Sequence, residues 1–505
     1  MVSSNPRASA PPVSHDATDG SALQRKARLG AITLAARTIV LETIVFGGNL
    51  ILARVLDPED FGVMAISQFA LAFFVSFGDA GLGGGLVQRK EHPSQVMLSS
   101  IFWLQIAISI AIMAAVWVST PILPVLWPDL PRGSAWLLRA LSVELLLTAA
   151  RTIPSILMER ELYFGRLSVL EVTSQLAYFV VALPMGVKGY GVTALVGGVL
   201  ARAVTGVILA YALRPWRPDL TMDRAGLRPI VNFGIPYQLK NVVGFANNAV
   251  TPLYAGHVLG AYAVGIITFA QQTAYTPLKL VQVMARVGFP LYSRLQDKPK
   301  LLAETLGRSA HVCAAGTLLF SGLMFGLGPE IVRVAYPKWG EAIVPLYLFA
   351  GTITVGFLTP LVAAAFDAMG RPKVFLRLSL AWTLMAWVVV PFTTPRWGVI
   401  GFVGGYIVHT IVFSVVVLVL VGKVFPEAHL VRRSRGVLIA ALAEAALARY
   451  VIAPVVSGPF TLMFALVAAI ATFVAVMYVV DRRSLLDALS LMRARGTEAE
   501  VSPVP

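Results

Sequence analysis

Apolar stretches, about fourteen of them and each near the roughly 20 residues that span a bilayer, run along this chain, and its basic residues gather in every second gap between them. The stretches cover approximately residues 30–54, 61–86, 96–118, 134–158, 165–187, 190–213, 230–256, 262–290, 305–328, 339–367, 373–395, 397–421, 435–456 and 458–480. Of the 41 Lys and Arg, 26 sit in or beside the tails and the even-numbered gaps, and six in the odd-numbered ones. Short loops rich in Lys and Arg stay on the cytoplasmic side. The pattern therefore predicts an all-α, polytopic membrane protein with both termini cytoplasmic.

Composition narrows the function classes. The chain is 57% hydrophobic and 13% charged, against about 25% charged for an ordinary soluble protein. Its formal charge of +15 needs no nucleic acid, because the excess lies on loops facing an anionic inner leaflet. Cys313 is the only cysteine and lies within an apolar stretch, which excludes a disulfide framework and a thiolate metal site. Six histidines have no ligand spacing. No Walker-type phosphate loop occurs, and the Gly81 to Gly85 run is no dinucleotide fingerprint because no strand precedes it. No catalytic residue, metal or cofactor is expected. No extramembrane segment is long enough for a soluble catalytic domain, so a gradient, the membrane potential or the substrate must supply the energy.

Residues 1–28, rich in Ser, Ala and Pro, are expected to form a disordered cytoplasmic tail. They do not read as a signal peptide, and the first span is expected to act as an uncleaved insertion signal. The chain also resembles itself. At an offset near 203, Ala53-Arg54-Val55-Leu56 falls over Gly256-His257-Val258-Leu259, Gly62 over Gly265 and Gln68 over Gln271. At offset 207, Gly191 to Gly198 aligns with Gly398 to Gly405 with five identities. An even number of spans between equivalents preserves orientation, so two parallel six-helix bundles are expected, with a substrate site where they meet. The expected units are 29–213, a basic cytoplasmic connector at 214–229, a second bundle at 230–421, two added helices within 435–480, and a cytoplasmic tail at 481–505.

Charges within the spans mark candidate sites. An intramembrane charge costs at least a few kcal/mol and usually faces a cavity or a partner, although span ends permit snorkelling. Nine basic residues lie within or at the edges of spans: Arg37, Arg139, Arg151, Arg202, Lys240, Lys279, Arg286, Arg308 and Arg449. For Arg151, Arg286, Arg308 and Arg449 a snorkelling role weighs at least as much as a functional one. On an unbroken eighth helix, Gln272, Tyr275, Lys279, Gln282 and Arg286 share an arc of about 80°. On the seventh, Tyr237, Lys240, Asn241, Gly244, Asn248 and Thr251 share about 100°. Such stripes should line a hydrated channel or a helix contact, and the lysines favour the channel. At offset 203 Lys240 coincides with Arg37. The acids Glu42, Asp79, Glu144, Glu171, Asp367 and Glu444 also fall within spans. They either pair with the basic set or couple transport to H+ or Na+, with Asp79, Glu42 and Glu144 the coupling candidates. Asp79 precedes a glycine-rich end to its span. Pro236, Pro252, Pro277, Pro290, Pro345 and Pro360 are candidate hinges.

The stretch Leu52-Ala53-Arg54-Val55-Leu56-Asp57-Pro58-Glu59-Asp60-Phe61-Gly62, with Phe77-Gly78-Asp79-Ala80-Gly81-Leu82-Gly83 and Leu86-Val87-Gln88-Arg89, resembles the start of the Wzx-type polysaccharide flippases of the multidrug/oligosaccharidyl-lipid/polysaccharide (MOP) exporter superfamily. Phe289-Pro290-Leu291-Tyr292-Ser293-Arg294-Leu295-Gln296 is similar to the end of that family's eighth helix. The resemblance implies two six-helix bundles around a V-shaped cavity with two extra C-terminal helices. It implies a monomer of the bacterial inner membrane that flips oligosaccharides linked to undecaprenyl pyrophosphate, for exopolysaccharide, capsule or O-antigen synthesis. A polymerase and chain-length machinery are the implied protein partners. In that frame Arg37, Lys240, Lys279, Arg202 and Arg286 form a cationic cavity for the pyrophosphate and acidic sugars, with Tyr237, Asn241, Asn248, Gln272, Tyr275 and Gln282 as its polar lining. A drug or metabolite exporter of the superfamily is the main rival, and would be expected to carry an acidic cavity. A membrane glycosyltransferase or polymerase generally needs a large periplasmic loop, whereas the longest odd-numbered gap here is Ser119 to Gly133.

Overall fold

The computed structural model describes residues 37–38, 40–78, 93–131, 133–220 and 244–482, and no strand occurs among them. The expected tail 1–28, most of the connector and all but the start of the last tail lie outside the described residues, as do Asp79, Pro236, Tyr237, Lys240 and Asn241. The first half comprises α1 (helical residues 40–55), α2 (Pro58–Gly78), α3 (Gln95–Ser119), α4 (Ser134–Arg160), α5 (Phe164–Val187) and α6 (Val192–Leu213). The second comprises α7 (Gly244–Ala274), α8 (Leu278–Arg294), α9 (Pro299–Ala335), α10 (Ile343–Gly356), α11 (Thr359–Ala368) and α12 (Pro372–Val424). Two further helices follow, α13 (Leu430–Leu447) and α14 (Pro459–Val480).

Among the described residues, eleven helices are long and apolar enough to cross a membrane. Proline opens α2, α9, α12 and α14, where its missing N–H costs nothing and its fixed φ suits the first turn. Ser94 starts α3, its hydroxyl accepting the Met97 N–H at 3.3 Å. Two helices bend sharply and so run through two expected spans each: α7 at Gly260 (φ 80°, ψ 174°) and α12 at Trp397 and Gly398. The expectation of one unbroken helix over 262–290 is corrected. The helix stops at Ala274 and restarts at Leu278, because Pro277 removes a ladder N–H. Likewise Pro360 follows a break between α10 and α11, and Pro252 lies in a π-helical turn, Val250–Ala255. Pro290, by contrast, is accommodated inside α8.

The internal repeat is visible as backbone geometry. Gly191, which precedes α6, has φ 55° and ψ −137°; its equivalent at offset 207, Gly398, has φ 56° and ψ −134°. Both need glycine, since L side chains rarely adopt a positive φ. The second repeat marker is a contact between the halves. A Cβ on Gly62 of α2 would lie 1.7 Å from the Ala261 carbonyl oxygen, and a Cβ on Gly265 of α7 would lie 1.8 Å from the Pro58 oxygen. Gly62 and Gly265, and Pro58 and Ala261, are equivalents at offset 203. The crossing is therefore reciprocal, as a contact on an internal two-fold axis must be. Each half otherwise packs chiefly on itself, and α13 lies against α9 and α14.

Candidate functional site

The halves are fastened at one end of the bundle, the end of the sparsely charged, odd-numbered gaps. Beyond the glycine crossing, the link between α3 and α4 sends Trp127 across to α7, where its indole N–H donates to the Pro252 carbonyl at 2.8 Å. The corresponding link between α9 and α10 sends Trp339 across to α1, donating to the Ala53 carbonyl at 2.6 Å. Trp339 is fully buried, stacked on Phe269 at 4.2 Å and edge-on to Phe61 at 5.2 Å. Lys338 adds a bond to the Val55 carbonyl and an ion pair with Asp57, at 2.7 and 2.9 Å. His257 Nδ1 lies 2.8 Å from the Leu126 carbonyl. Small residues and satisfied indoles let two helical surfaces meet through backbone, which is how membrane helices gain close packing.

Deeper in the bundle the character changes to charge. Along α1, Glu42 and Arg37 lie about 16 and 24 Å from Ala53 at 1.5 Å per residue. Arg37 donates to Glu171 of α5 at 3.1 Å, and Arg202 of α6 donates to Glu144 of α4 at 2.9 Å. Arg151 of α4 joins the same group. Its guanidinium lies over Gly206, where a Cβ would be 2.7 Å from Nη1, and it interacts electrostatically with Arg202, Glu144 and Glu171. Among the described residues it has no hydrogen-bond partner. Among the described residues, these three arginines and two glutamates thus leave the group one positive charge in excess, within a membrane-spanning bundle where an unpaired charge is costly.

Across from this group, Lys279 in the first turn of α8 reaches over to Glu42 of α1. This pair joins the two halves with 61% and 51% of the two side chains exposed. A surface pair of that kind holds weakly, by about 0–1 kcal/mol, and can exchange partners. Beside it opens a cleft of ≈ 400 Å³ bordered by Thr38, Glu42, Thr43 and Phe46. Gln282 and Arg286, three and seven residues after Lys279, share its exposed face of α8, and Arg286 has no partner among the described residues.

The sequence-derived candidates divide accordingly. Arg37, Arg202 and Lys279 are all paired, with Glu171, Glu144 and Glu42. Two of the three coupling candidates, Glu42 and Glu144, are those partners. The break at 275–277 separates the expected stripe: Gln272 is exposed on α7, whereas Tyr275 turns into the second half, its hydroxyl 3.2 Å from Thr352 and its ring edge-on to Phe349 at 5.7 Å. Asn248 is exposed on α7. Sequence reasoning underweighted Arg151, set beside the span ends that allow snorkelling. Its i, i+7 spacing from Glu144 on α4 places both on one face, and that was the available signal. Arg139, in contrast, is anchored at the fastened end by Thr120 at 2.7 Å and lies 6.0 Å from the Trp117 ring centre.

Known proteins share this fold. Over the whole fold, the chain is similar to a solved structure of the lipid II flippase MurJ in an inward closed conformation, with TM-score 0.68 and 13% identity over 89% of this chain and 98% of that one. It is also similar to an inward-facing multidrug resistance MATE family transporter of the MOP superfamily, with TM-score 0.57 and 15% identity over 78% of this chain and 98% of that one. In sequence it is 26% identical over 334 residues to the lipopolysaccharide biosynthesis protein WzxC of Escherichia coli, covering 65% of this chain and 66% of WzxC. It is 24% identical to the succinoglycan biosynthesis transport protein ExoT of Rhizobium meliloti, covering 61% of this chain and 62% of ExoT. These matches span just under two thirds of each relative's length. Residues 51–344 match the family described as "Polysaccharide biosynthesis protein". That match takes in α2 to α9 with both sides of the glycine crossing, and the chain, a multi-pass membrane protein, belongs to the polysaccharide biosynthesis protein family.

Proposed function

We propose that the protein carries lipid-linked oligosaccharide units across the bacterial inner membrane by alternating access, both termini lying in the cytoplasm. The observation that carries this reading is the layer of Arg37, Arg151 and Arg202 in the first half, faced by Lys279 of the second through its pair with Glu42, at a distance from the glycine crossing that fastens the halves. Such a layer attracts the phosphates of a polyprenyl pyrophosphate carrier and any acidic sugars, while the lipid tail stays in the bilayer. Arg151 supplies the uncompensated charge. The carboxylates Glu171, Glu144 and Glu42 hold the other cations in place until a phosphate competes for them, as charge-assisted bonds to phosphate can. Lys279 is the cation best placed to report arrival, since releasing Glu42 also removes the ion pair between the halves at this depth. The names of the relatives WzxC and ExoT and of the structural neighbour MurJ support this choice over drug export, as does the basic rather than acidic layer. A polymerase and chain-length machinery are the proposed protein partners, and the acting unit is a monomer.

Expression in a strain deleted for its own lipid-linked oligosaccharide flippase tests the reading. Restored surface polysaccharide with clearance of the accumulated lipid-linked intermediate is expected. Intermediate that persists on the cytoplasmic leaflet, with the protein present at normal levels and hosts of several repeat-unit chemistries tried, would sink it; resistance to cationic dyes in its place would favour the drug exporter.

A further inference from the structure

Glu42, Glu144 and Glu171 are each committed to a cation, which leaves the question of where a coupling ion could bind. Another carboxyl stands in the opposite condition. Glu444, in the last turn of α13, is fully buried, and neither carboxylate oxygen has a hydrogen-bond partner among the described residues. It faces α9 at a site shaped to admit it: a Cβ on Gly322 would fall 2.5 Å from Glu444 Oε2, and one turn on a Cβ on Gly326 would fall 2.4 Å from that of Ala448. Any larger residue at 322 would occupy the carboxyl's place.

Among the described residues, the surroundings offer no counter-charge. On α9, Glu330 already holds Arg449 at 3.4 Å, Arg333 donates to the Val456 carbonyl at 2.8 Å, and His311 lies 2.9 Å from the Arg433 carbonyl. Cys313 is buried on the same helix. Counted along α9 from Gly322, His311 and Glu330 lie about 16 and 12 Å away. α14 brings Asp481 at its end, against Gly436, about 12 Å along α13 from Glu444, and Tyr478 three residues before it. Leaving an ionised carboxylate there without a partner costs several kcal/mol. Just beyond Glu444, α13 passes into a π-helical turn, Ala448–Ile452, a departure from α geometry frequent at functional sites.

We propose that Glu444 is a proton-binding site at the joint between the second half and the last two helices, and that it carries a proton coupled to transport. The side chain is a neutral acid while α13 lies on α9. When the two helices part, its O–H bond breaks, the proton passes to water and the carboxylate is hydrated. This extends the reading given under Proposed function and rests on it for the coupling role.

Infrared spectroscopy of the purified full-length protein in lipid nanodiscs tests the site. The difference between wild type and Glu444→Gln at neutral pH should contain the C=O stretch of one protonated carboxylic acid. Growth on 13C-glutamate should shift the same band in the wild type, so the result does not depend on the variant folding. In the complementation strain, Glu444→Gln at wild-type abundance should lower polysaccharide export at least tenfold, because a permanently neutral side chain cannot release a proton. Absence of the band, or undiminished export by the variant, overturns the proposal. Wild type that fails to complement, with the band present, counts against the transport reading instead.

Discussion

The glycine crossing and the charged layer lie about 15–25 Å apart along the helices, and they hold the two halves by opposite means. At the crossing, backbone meets backbone with no side chain between, and Trp127 and Trp339 are buried. In the layer, the ion pair joining the halves, Lys279 with Glu42, is more than half exposed. The first contact is specific in shape and has nothing to exchange; the second is weak, hydrated and open to competition by an anion. A molecule that must open at one end and accept a charged headgroup at the other needs this division, because a ligand moves an equilibrium only by binding the two states differently.

The largest expected effect lies at the crossing. Gly62→Ala or Gly265→Ala puts a methyl within 2 Å of a carbonyl oxygen that cannot turn aside. Overpacking costs about 1–3 kcal/mol, or roughly a fivefold to 150-fold shift against the fastened state. Thiol labelling shows it: in a Cys313→Ala background, a cysteine at Asn248 should react faster with a membrane-impermeant maleimide applied from the odd-gap side. An unaltered rate would mean that the two glycines do not control this end.

Next come the cations. Arg151→Ala should cut export about tenfold or more with protein abundance unchanged, since the guanidinium holds no partner whose loss would destabilise the fold. A parallel fall in abundance would recast Arg151 as structural. Exchanging charges, Lys279→Glu with Glu42→Lys, sharpens the contrast further: restored export would make the pair a simple latch, whereas the account expects no rescue because the lysine at 279 must also meet phosphate. The smallest effect on export belongs to Trp339→Phe, which removes one hydrogen bond and part of a fully buried ring. A loss of about 1–3 kcal/mol should appear as a drop in thermal midpoint.

How far these two regions could be read from residues alone differs for a physical reason. Helical class and the duplication were legible because apolar runs and glycines at offsets of 203 and 207 are local signals. The Gly62 and Gly265 alignment even named the pair that meets, although a sequence carries no sign that equivalents touch. The charged layer was legible only as an inventory. Arg37, Arg202 and Lys279 stand out as charges within spans, but their partners Glu171, Glu144 and Glu42 come from other helices, and packing alone decides which carboxylate each one meets. Tyr275 was misjudged because a stripe drawn at 100° per residue assumes an unbroken helix, and Pro277 breaks it.

The most direct test of the central claim, that the halves must part at the fastened end for cargo to leave, is a reversible crosslink between them. With Cys313 replaced, cysteines at Asp57 and Lys338, whose native side chains form an ion pair at 2.9 Å, would be joined by a short cleavable thiol-to-thiol reagent while export is followed. The account predicts that export stops in proportion to the crosslinked fraction and returns when the linker is cleaved. Export continuing at its full rate with the link complete would contradict it.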